Sequence, residues 1–267
     1  MNTWMLLLLA TLGLIACKAQ PSTPEEPISP SPQTTRQLPL LEPLPEVEDL
    51  DPDEGVVHAR LRAARTEGGA PWLYAYNGLN PGPLIRGRVG DTLIIELDNA
   101  LETETTIHWH GLKVPFAMDG VAWRGAPVEA GGNFEYRFTL PHAGTYWYHP
   151  HFNTESQVDG GLYGALVIED PAEPVPDEEL VLIFDTEREY DAAQDALPIG
   201  SPGRHAHGHG RLAPRWRVNG QATPVEYQGR GGTVVRVRMI NASNVGYLDL
   251  RWPGIRQRLM MCIGVMG

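Results

Sequence analysis

The sequence predicts an all-β protein made of two related β-sandwich domains. From Val56 onward, short strand-like stretches are separated by Gly, Pro and Asn, and no long segment has the period of an amphipathic helix. Apolar and polar residues alternate at 57–62 and at 134–139, as expected for strands with one buried face. A turn-and-strand unit recurs later in the chain, which indicates a second copy of the first domain.

The bulk composition is typical of a globular protein. The chain has 267 residues, of which 42% are hydrophobic and 20% charged, so it can bury the core of one large or two modest domains. Its formal net charge of −12 argues against a nucleic-acid or anionic-membrane surface, because those partners select an excess of Lys and Arg. Its two cysteines, Cys17 and Cys262, predict no disulfide framework.

Residues 1–17 are expected to be an export signal. An apolar run covers residues 5–16 and is too short for a comfortable membrane span. It ends in Leu14-Ile15-Ala16-Cys17, which looks like a bacterial lipobox and predicts a lipid on Cys17 after cleavage. An ordinary cleaved signal peptide is the alternative. We therefore expect an exported protein, periplasmic or at the cell surface, that is anchored to the membrane as a lipoprotein.

Residues 18–55 are predicted to form a disordered, Pro-rich linker. Prolines recur every two or three residues from Pro21 to Pro32, among Ser, Thr and Glu. Such a spacer would hold a folded domain away from a membrane, although a loosely ordered N-terminal arm has the same composition. Folded structure is expected to begin near Val56.

The internal repeat rests on a turn and the strand that follows it. Asn77-Gly78, followed by the strand pattern at 90–99, is matched by Asn219-Gly220 and the pattern at 232–241. A shared turn-and-strand pattern can also arise by chance in an all-β chain. We favour two copies of one domain type.

The domain limits follow from this repeat and from local composition. The first domain is predicted at 56–172 and a partial second domain at 178–254, because prolines and acidic residues between them are typical of a junction. A full sandwich needs about 100 residues, which leaves the second domain incomplete. Residues 255–267 continue neither a strand pattern nor a motif. Our hypothesis for this tail is a shifted reading frame or a premature stop in a longer gene.

Two histidine pairs predict a metal site in the first domain. They are His108-Trp109-His110 and His149-Pro150-His151. Residues two apart in a strand project from the same face, so each pair can aim two imidazoles at one ion or at two neighbouring ions. Imidazole suits zinc, copper, iron and nickel, which leaves the metal open. A lone histidine is more often a surface or core residue, but two such pairs are difficult to explain by packing.

These motifs resemble the multicopper oxidases, a laccase-like family built from cupredoxin β-sandwiches. His108-Trp109-His110-Gly111 resembles the first copper motif of that family, and residues 144–151 resemble the second. The match also includes Gly82-Pro83-Leu84-Ile85, Arg88-Val89-Gly90-Asp91, Gln157, Gly161-Leu162-Tyr163-Gly164 and Val167-Ile168-Glu169-Asp170. The resemblance implies a cupredoxin-like Greek-key β-sandwich, one complete domain followed by an incomplete second one.

The resemblance also implies a trinuclear copper cluster at which dioxygen is reduced to water. His108 resembles the ligand of the type 2 copper, whereas His110, His149 and His151 resemble ligands of the type 3 pair. Asp119 occupies a place where the family often has an acid near the cluster, so it is a candidate proton relay. An acid before a glycine is also ordinary turn chemistry.

The remaining histidines and the strand aromatics are not predicted to be ligands or catalytic groups. His142 is expected in a turn, and His58 on the polar face of the first strand. A His-rich loop could capture copper outside the cluster, or could simply be a glycine-rich loop with incidental histidines. Its members are His205, His207 and His209. Three strand aromatics could line the cluster, but such residues are usually part of a core, and no catalytic role is assigned to them: Trp109, Tyr146 and Trp147.

The chain departs from the family in one respect. It contains no His-Cys-His motif, around which the family builds its type 1 copper, and no histidine follows Cys262. The resemblance therefore implies the N-terminal part of an exported laccase-like oxidase that is inactive by itself. A C-terminal domain or a second chain would supply the missing ligands. Dioxygen and a small reductant, namely phenols, aromatic amines or low-valent metal ions, would be the substrates.

Two other functions remain open at this point. The chain could be a non-enzymatic periplasmic protein that retains a cupredoxin domain and buffers or delivers copper. A copper nitrite reductase is a weaker alternative, because those proteins place a cysteine ligand in the first domain and residues 56–170 contain no cysteine.

Overall fold

Strand β1 (Val56–Arg65) shows how an alternating sequence becomes a half-buried strand. In the computed structural model, Ala59 and Leu61 are completely buried, whereas Arg60 and Arg62 are exposed. One face of β1 therefore joins the core and the other lies in solvent. The structure describes residues 37–67, 73–121, 125, 127–186, 215–243 and 246–251.

The other described strands follow in chain order. They are β2 (Tyr74–Tyr76), β3 (Gly82–Arg88), β4 (Thr92–Ala100), β5 (His108–His110), β6 (Asn133–Thr139), β7 (Gly144–His149), β8 (Gly164–Glu169), β9 (Glu178–Thr186), β10 (Trp216–Val218), β11 (Gln221–Ala222) and β12 (Val235–Asn241). The helical segments among the described residues are a 3₁₀ turn at Phe116–Met118 and α1 (Thr154–Asp159). The all-β prediction is therefore confirmed.

These strands form three four-stranded sheets. The first sheet has the order β2-β1-β4-β6, the second has the order β3-β8-β7-β5, and the third has the order β11-β10-β9-β12. The first and third sheets each contain a parallel pair: β1 with β4 at the centre of the first sheet, and β9 with β12 at one edge of the third. Each first partner also pairs antiparallel with the strand that follows it, β1 with β2 and β9 with β10.

The first and second sheets enclose the main hydrophobic core. Leu61 and Ile95 enter it from the first sheet, and Trp109 and Leu166 enter it from the second; all four are completely buried. Burying one aliphatic side chain of this size contributes about 2 kcal/mol to folding. The sheet that carries the histidine pairs is thus fixed from its inner side.

A second core forms the interface between the two domains. It combines Leu84 and Val167 with Ile183 and Ile240, which belong to β9 and β12 of the third sheet. Because Leu166 next to Val167 points into the main core, Val167 lies on the outer face of the second sheet. The third sheet therefore docks on that outer face, and Leu38–Gly267 forms one compact unit. We refer to this shared core as the domain interface.

In the first domain an asparagine turn clamps strand β1. Asn77 has a left-handed backbone with φ of 53°. Its Oδ1 accepts a hydrogen bond from the backbone N–H of Arg62 at 2.7 Å, and its Nδ2 donates to the carbonyl oxygen of Arg60 at 2.9 Å. Asparagine tolerates this conformation because its short polar side chain can bond locally.

The same clamp recurs in the second domain. Asn219 has φ of 49°, accepts from the backbone N–H of Ile183 at 2.9 Å and donates to the carbonyl oxygen of Val181 at 3.0 Å. Strand β9 is therefore held as β1 is held, and the strand orders around the two clamps agree. That the two domains are copies of one type stays a prediction, with which this shared strand order is consistent.

An N-terminal arm at residues 38–50 lies against both domains. Leu41 donates from its backbone N–H to the carbonyl oxygen of Glu226 at 2.7 Å, and the N–H of Leu84 donates to the carbonyl oxygen of Pro45 at 2.7 Å. Leu44 is buried in the domain interface. Ordered structure therefore begins earlier than the expected Val56. The arm gains backbone hydrogen bonds, which a Pro-rich composition does not reveal.

Some sequence predictions fall on residues that the structure does not describe. The expected signal at 1–17, the His205, His207 and His209 loop and the tail at 255–267 lie outside the described residues. Within the described ranges, none of the helices has both the length and the apolar character needed to span a membrane.

Candidate metal centre

Strands β5 and β7 place the predicted histidines side by side. The strands pair antiparallel, so His108 lies opposite His149, and His110 lies opposite Trp147. The residue between the first two histidines, Trp109, points the other way and is completely buried in the main core. Alternation thus anchors the sheet through its inner aromatic residues and leaves the imidazoles on its outer face.

Three of these imidazoles converge. The ring nitrogens that His108, His110 and His149 can offer to a metal ion all lie within 4.8 Å of one another. His110 Nδ1 is 3.1 Å from His149 Nε2. The ring centroid of His108 lies 5.6 Å from that of His110 and 5.4 Å from that of His149. Among the described residues, this is the one group of three or more side chains that could hold a metal ion.

Backbone carbonyl groups orient two of the imidazoles. His108 Nδ1 lies 2.8 Å from the carbonyl oxygen of Asp119, and His149 Nδ1 lies 2.8 Å from that of Pro150. A carbonyl oxygen only accepts, so each Nδ1 carries the proton and donates, while each Nε2 keeps its lone pair. Metal-ligating histidines commonly donate their second ring N–H in this way, which fixes the tautomer and the ring orientation.

The turn that supplies the Asp119 carbonyl is pressed against β5. Gly120 has φ of +67°, and a Cβ built there would lie 1.9 Å from the carbonyl oxygen of Ile107. Glycine alone permits so close an approach in this conformation. The Asp119 carboxylate also lies 3.5 Å from His108 Nδ1. The carbonyl of Asp119 therefore positions His108, a role that the sequence did not reveal, whereas its proton relay stays a prediction.

The surroundings of the group favour neutral imidazoles. Burial is the main cause that lowers the pKa of His149 to about 3, and neighbouring imidazoles act in the same direction. Burial also lowers the pKa of His110, with smaller contributions from His108 and His151. A buried cation is disfavoured because it loses its hydration. Burial thus favours the neutral form, which is the one that binds metal, in both residues.

His151 lies at the margin of the group. Its ring centroid is 5.2 Å from that of His108 and 6.5 Å from that of His149, and it is not among the three convergent ligands. The backbone N–H of His151 donates to Thr106 Oγ1 at 2.9 Å. The fourth predicted ligand is therefore tied to the segment that leads into β5.

Gln157 of α1 strengthens the same connection. Its buried side chain accepts a hydrogen bond from Thr105 Oγ1 at 2.7 Å and donates to the carbonyl oxygen of Glu104 at 2.8 Å. The segment after His151 is thereby joined to the segment before β5 at two neighbouring points. A buried amide must satisfy its polar atoms, so this network has little freedom to shift.

Trp147 also lines the group, which is one of the two positions that the sequence left open for it. Its ring centroid lies 4.1 Å from that of His149 and 5.1 Å from that of His110. Positions two apart on β7 share a face, so the alternation that aims His149 outward aims Trp147 outward as well. That signal was present in the sequence.

Two other described histidines make different contacts. His58 Nε2 lies 2.9 Å from Glu96 Oε1 on the solvent face of the first sheet. His142 Nδ1 lies 2.5 Å from the hydroxyl oxygen of Tyr146. Neither belongs to the convergent group.

Comparison with known proteins identifies relatives of this domain. The family model described as multicopper oxidase matches residues 59–173, a range that contains all four predicted ligands. Copper resistance protein A of Pseudomonas syringae pv. tomato is 32% identical in an alignment of 235 positions that covers 71% of this chain and 38% of that protein. Multicopper oxidase MmcO of Mycobacterium tuberculosis is 42% identical over 125 residues, which are 46% of this chain and 24% of that protein.

Solved structures agree with these matches. A multi-copper oxidase from Pseudomonas thermotolerans has a TM-score of 0.62 and 34% identity, over 73% of this chain and 48% of that one. A multicopper oxidase from Campylobacter jejuni, described as a metallo-oxidase, has a TM-score of 0.62 and 30% identity, over 78% of this chain and 44% of that one. The cupredoxin-like fold is confirmed. The chain spans less than half the length of each of these four proteins.

Proposed function

We propose, from the premise that residues 59–173 belong to the multicopper oxidase family, that this chain is the N-terminal part of an exported, laccase-like oxidase. The complete enzyme would couple one-electron oxidation of a small reductant to the reduction of dioxygen to water. The reductant would be a phenol, an aromatic amine or a low-valent metal ion. Curated relatives include proteins named copper resistance protein A and laccase, which supports this range.

The observation that carries the proposal is the convergence of three imidazoles on the outer face of β5 and β7. Neutral imidazole is a good ligand for copper. Two nitrogens bound to one ion at about 2 Å are separated by about 3 Å. His110 Nδ1 and His149 Nε2 are 3.1 Å apart, so their spacing suits two ligands of a single ion. The residues present therefore fit copper.

We assign roles to these side chains on that basis. His108, through the lone pair of its Nε2, would hold the type 2 copper, and His110, His149 and His151 would hold the type 3 pair. Bound copper would supply one-electron redox chemistry at dioxygen. Backbone carbonyl groups of this chain orient the imidazoles. The Asp119 carboxylate, close to the His108 ring, would relay protons to reduced oxygen.

The rest of the active enzyme would come from outside these residues. The sequence carries no His-Cys-His motif for a type 1 copper, so we propose that a C-terminal domain or a second chain supplies that site and the remaining cluster ligands. The apolar segment that ends at Cys17 supports export and a lipid anchor outside the cytoplasm.

Copper titration of the purified full chain tests the metal centre. We expect wild type to bind copper and His149→Gln to bind it more weakly. Loss of a hydrogen-bond partner of a metal ligand lowers metal affinity by about tenfold to hundredfold, and loss of the ligand itself should cost more. His58→Gln is the matched control, because His58 lies on the solvent face of the first sheet and should bind as wild type does. Equal copper affinity in all three proteins would contradict the proposed centre.

An oxygen-uptake assay with a phenolic reductant tests the division of the active site between segments. The copper-loaded chain alone should show neither oxygen consumption nor blue absorbance, because it lacks the ligands for electron entry. A blue, oxygen-consuming preparation of this chain would show that the assignment of missing ligands is wrong.

A further inference from the structure

His110 differs from its two partners in how its ring is held. The imidazoles of His108 and His149 each bond to a backbone carbonyl oxygen, whereas the one hydrogen-bond contact of the His110 ring among the described residues is to His149 itself. No carbonyl group therefore fixes the His110 ring plane in the described part of the protein. Something else has to set its orientation.

Trp147 is in position to do so. It lies directly opposite His110 across the β5–β7 pair, and the two rings stack at 30° with centroids 5.1 Å apart. The same indole lies at 31° to the His149 ring, with centroids 4.1 Å apart. One flat side chain thus covers both imidazoles whose nitrogens are 3.1 Å apart.

The indole is itself supported from the second domain. Trp147 packs against the domain interface, which contains Ile183 and Ile240 of the third sheet. Its neighbour in β7, Thr145, accepts a hydrogen bond from Arg238 Nη1 of β12 at 3.0 Å. A ring packed on one side and stacked on two imidazoles has few alternative rotamers.

We propose that Trp147 is a positioning residue of the metal centre: its indole face fixes the planes of His110 and His149, so that His110 Nδ1 and His149 Nε2 stay directed at one ion. The role of the indole in metal binding rests on the proposed copper centre. Its effect on the two rings does not, because the stacking is a contact among side chains of this chain. Trp147 acts through the imidazoles and touches neither substrate nor reacting atoms.

The first test examines the metal-free full chain. Histidine ring resonances are measured by NMR in wild type, Trp147→Phe and Trp147→Leu. Loss of the aromatic face should shift the ring signals of His110 and His149 in Trp147→Leu and leave those of His58 and His142 in place. Unchanged His110 and His149 signals in folded Trp147→Leu would overturn the proposal, whatever the protein's affinity for copper.

The second test measures affinity for added copper ions in the same variants. Trp147→Leu keeps apolar bulk but no stacking face, and its copper affinity should fall about tenfold or more, as for loss of an outer partner of a ligand. Trp147→Phe keeps a ring and should recover most of the affinity. Trp216→Leu, in β10, is the matched control and should bind as wild type does.

The outcomes separate the two proposals. Equal copper affinity of wild type and Trp147→Leu would overturn the positioning role. Equal losses of affinity in the Leu and Phe variants would also overturn it, because the loss of side-chain volume would then explain the effect without any stacking. If wild type binds no copper, the proposed function fails, and the NMR shifts alone decide the positioning role. Should Trp147→Leu fail to fold by circular dichroism, Trp147→Met replaces it in both tests.

Discussion

The first strand of each domain is held by the same asparagine clamp, but the clamped faces have opposite surroundings. In β1, the clamped residues Arg60 and Arg62 are exposed, and Arg60 pairs with Glu96 at 2.7 Å. In β9, the corresponding residues Val181 and Ile183 are buried in the domain interface. One backbone arrangement thus serves once as a solvated surface and once as a docking surface.

The side chains alone make this difference. Opposite Arg62 on the parallel partner stands Asp98, whereas opposite Ile183 stands Ile240. The apolar pair allows the second domain to dock on the outer face of the second sheet, which is also the face that carries the convergent histidines. The domain interface and the metal centre therefore share one surface, and Trp147 contacts both.

Exchanging the clamped residues should give the largest effect. Ile183→Arg would bury an unpaired charge in the domain interface, where Ile183 is 1% exposed, and should lower the free energy of unfolding by about 4 kcal/mol. The reciprocal change, Arg62→Ile, loses only an exposed ion pair with Asp98 and should cost less than about 1 kcal/mol. Urea unfolding followed by circular dichroism measures both. Similar losses in the two variants would show that the faces do not differ.

The second-largest effect on the free energy of unfolding is expected from replacing an acidic residue on each face, Glu179 and Glu96. Glu179 bonds to Arg86 and Arg238, each at 2.8 Å, beside the domain interface. Glu179→Gln therefore removes the carboxylate that pairs with Arg238, whereas Arg86 keeps Glu46 and Glu169. We expect a loss of about 2 kcal/mol in the free energy of unfolding. Glu96→Gln, on the solvated face, is the matched control and should cost clearly less. A loss for Glu179→Gln that is no larger than the control would contradict this.

The glycines that follow the two clamping asparagines give a third contrast. Both have left-handed backbones, with φ of +75° at Gly78 and +77° at Gly220. A Cβ at Gly78 would meet nothing within 4 Å, whereas one at Gly220 would lie 2.3 Å from the carbonyl oxygen of Asn80 in the first domain. Gly78→Ala should cost about 1 kcal/mol of backbone strain, and Gly220→Ala about 1 kcal/mol more. Thermal unfolding that ranks Gly78→Ala as the worse change would be inconsistent with the domain contact.

The parts of the fold that the sequence predicted depend on local alternation. The strand periodicity placed His108 and His110 on one face, and the structure brings them together with His149. The Asn77 and Asn219 turns identified the repeat because asparagine before glycine is a local signal. In each case neighbouring residues carry the information.

The parts that it missed depend on contacts between distant segments. The carbonyl group of Asp119 orients His108, but any residue has a carbonyl group, so composition carries no such signal. The arm around Leu44 docks through backbone hydrogen bonds. Its docking was also missed, because backbone groups are common to all residues. The sequence leaves Trp147 either lining the cluster or lying in a core, and only the pairing of β7 with β5 shows which rings it covers.

A partly buried carboxyl group at the domain interface gives a pH-dependent contrast. Asp185 Oδ2 accepts a hydrogen bond from the buried Tyr163 hydroxyl at 2.6 Å, yet burial raises the pKa of Asp185 to about 6. Its pKa in the unfolded chain is close to 4, so between these values the native state binds more protons, and this group lowers stability as pH rises through that window. Asp185→Asn removes the cost. Relative to wild type, the variant should gain about 1 to 2 kcal/mol in free energy of unfolding between pH 4 and pH 8.

His149 has the opposite pH dependence, because its lowered pKa makes stability fall in acid. This contribution is the same in wild type and in Asp185→Asn, so it disappears when the two free energies of unfolding are subtracted. Asp98→Asn, on the solvated face, should stay within about 0.5 kcal/mol of wild type at both pH values. A pH-independent difference for Asp185→Asn would mean that the carboxyl group is hydrated and that the interface at this point is open to water.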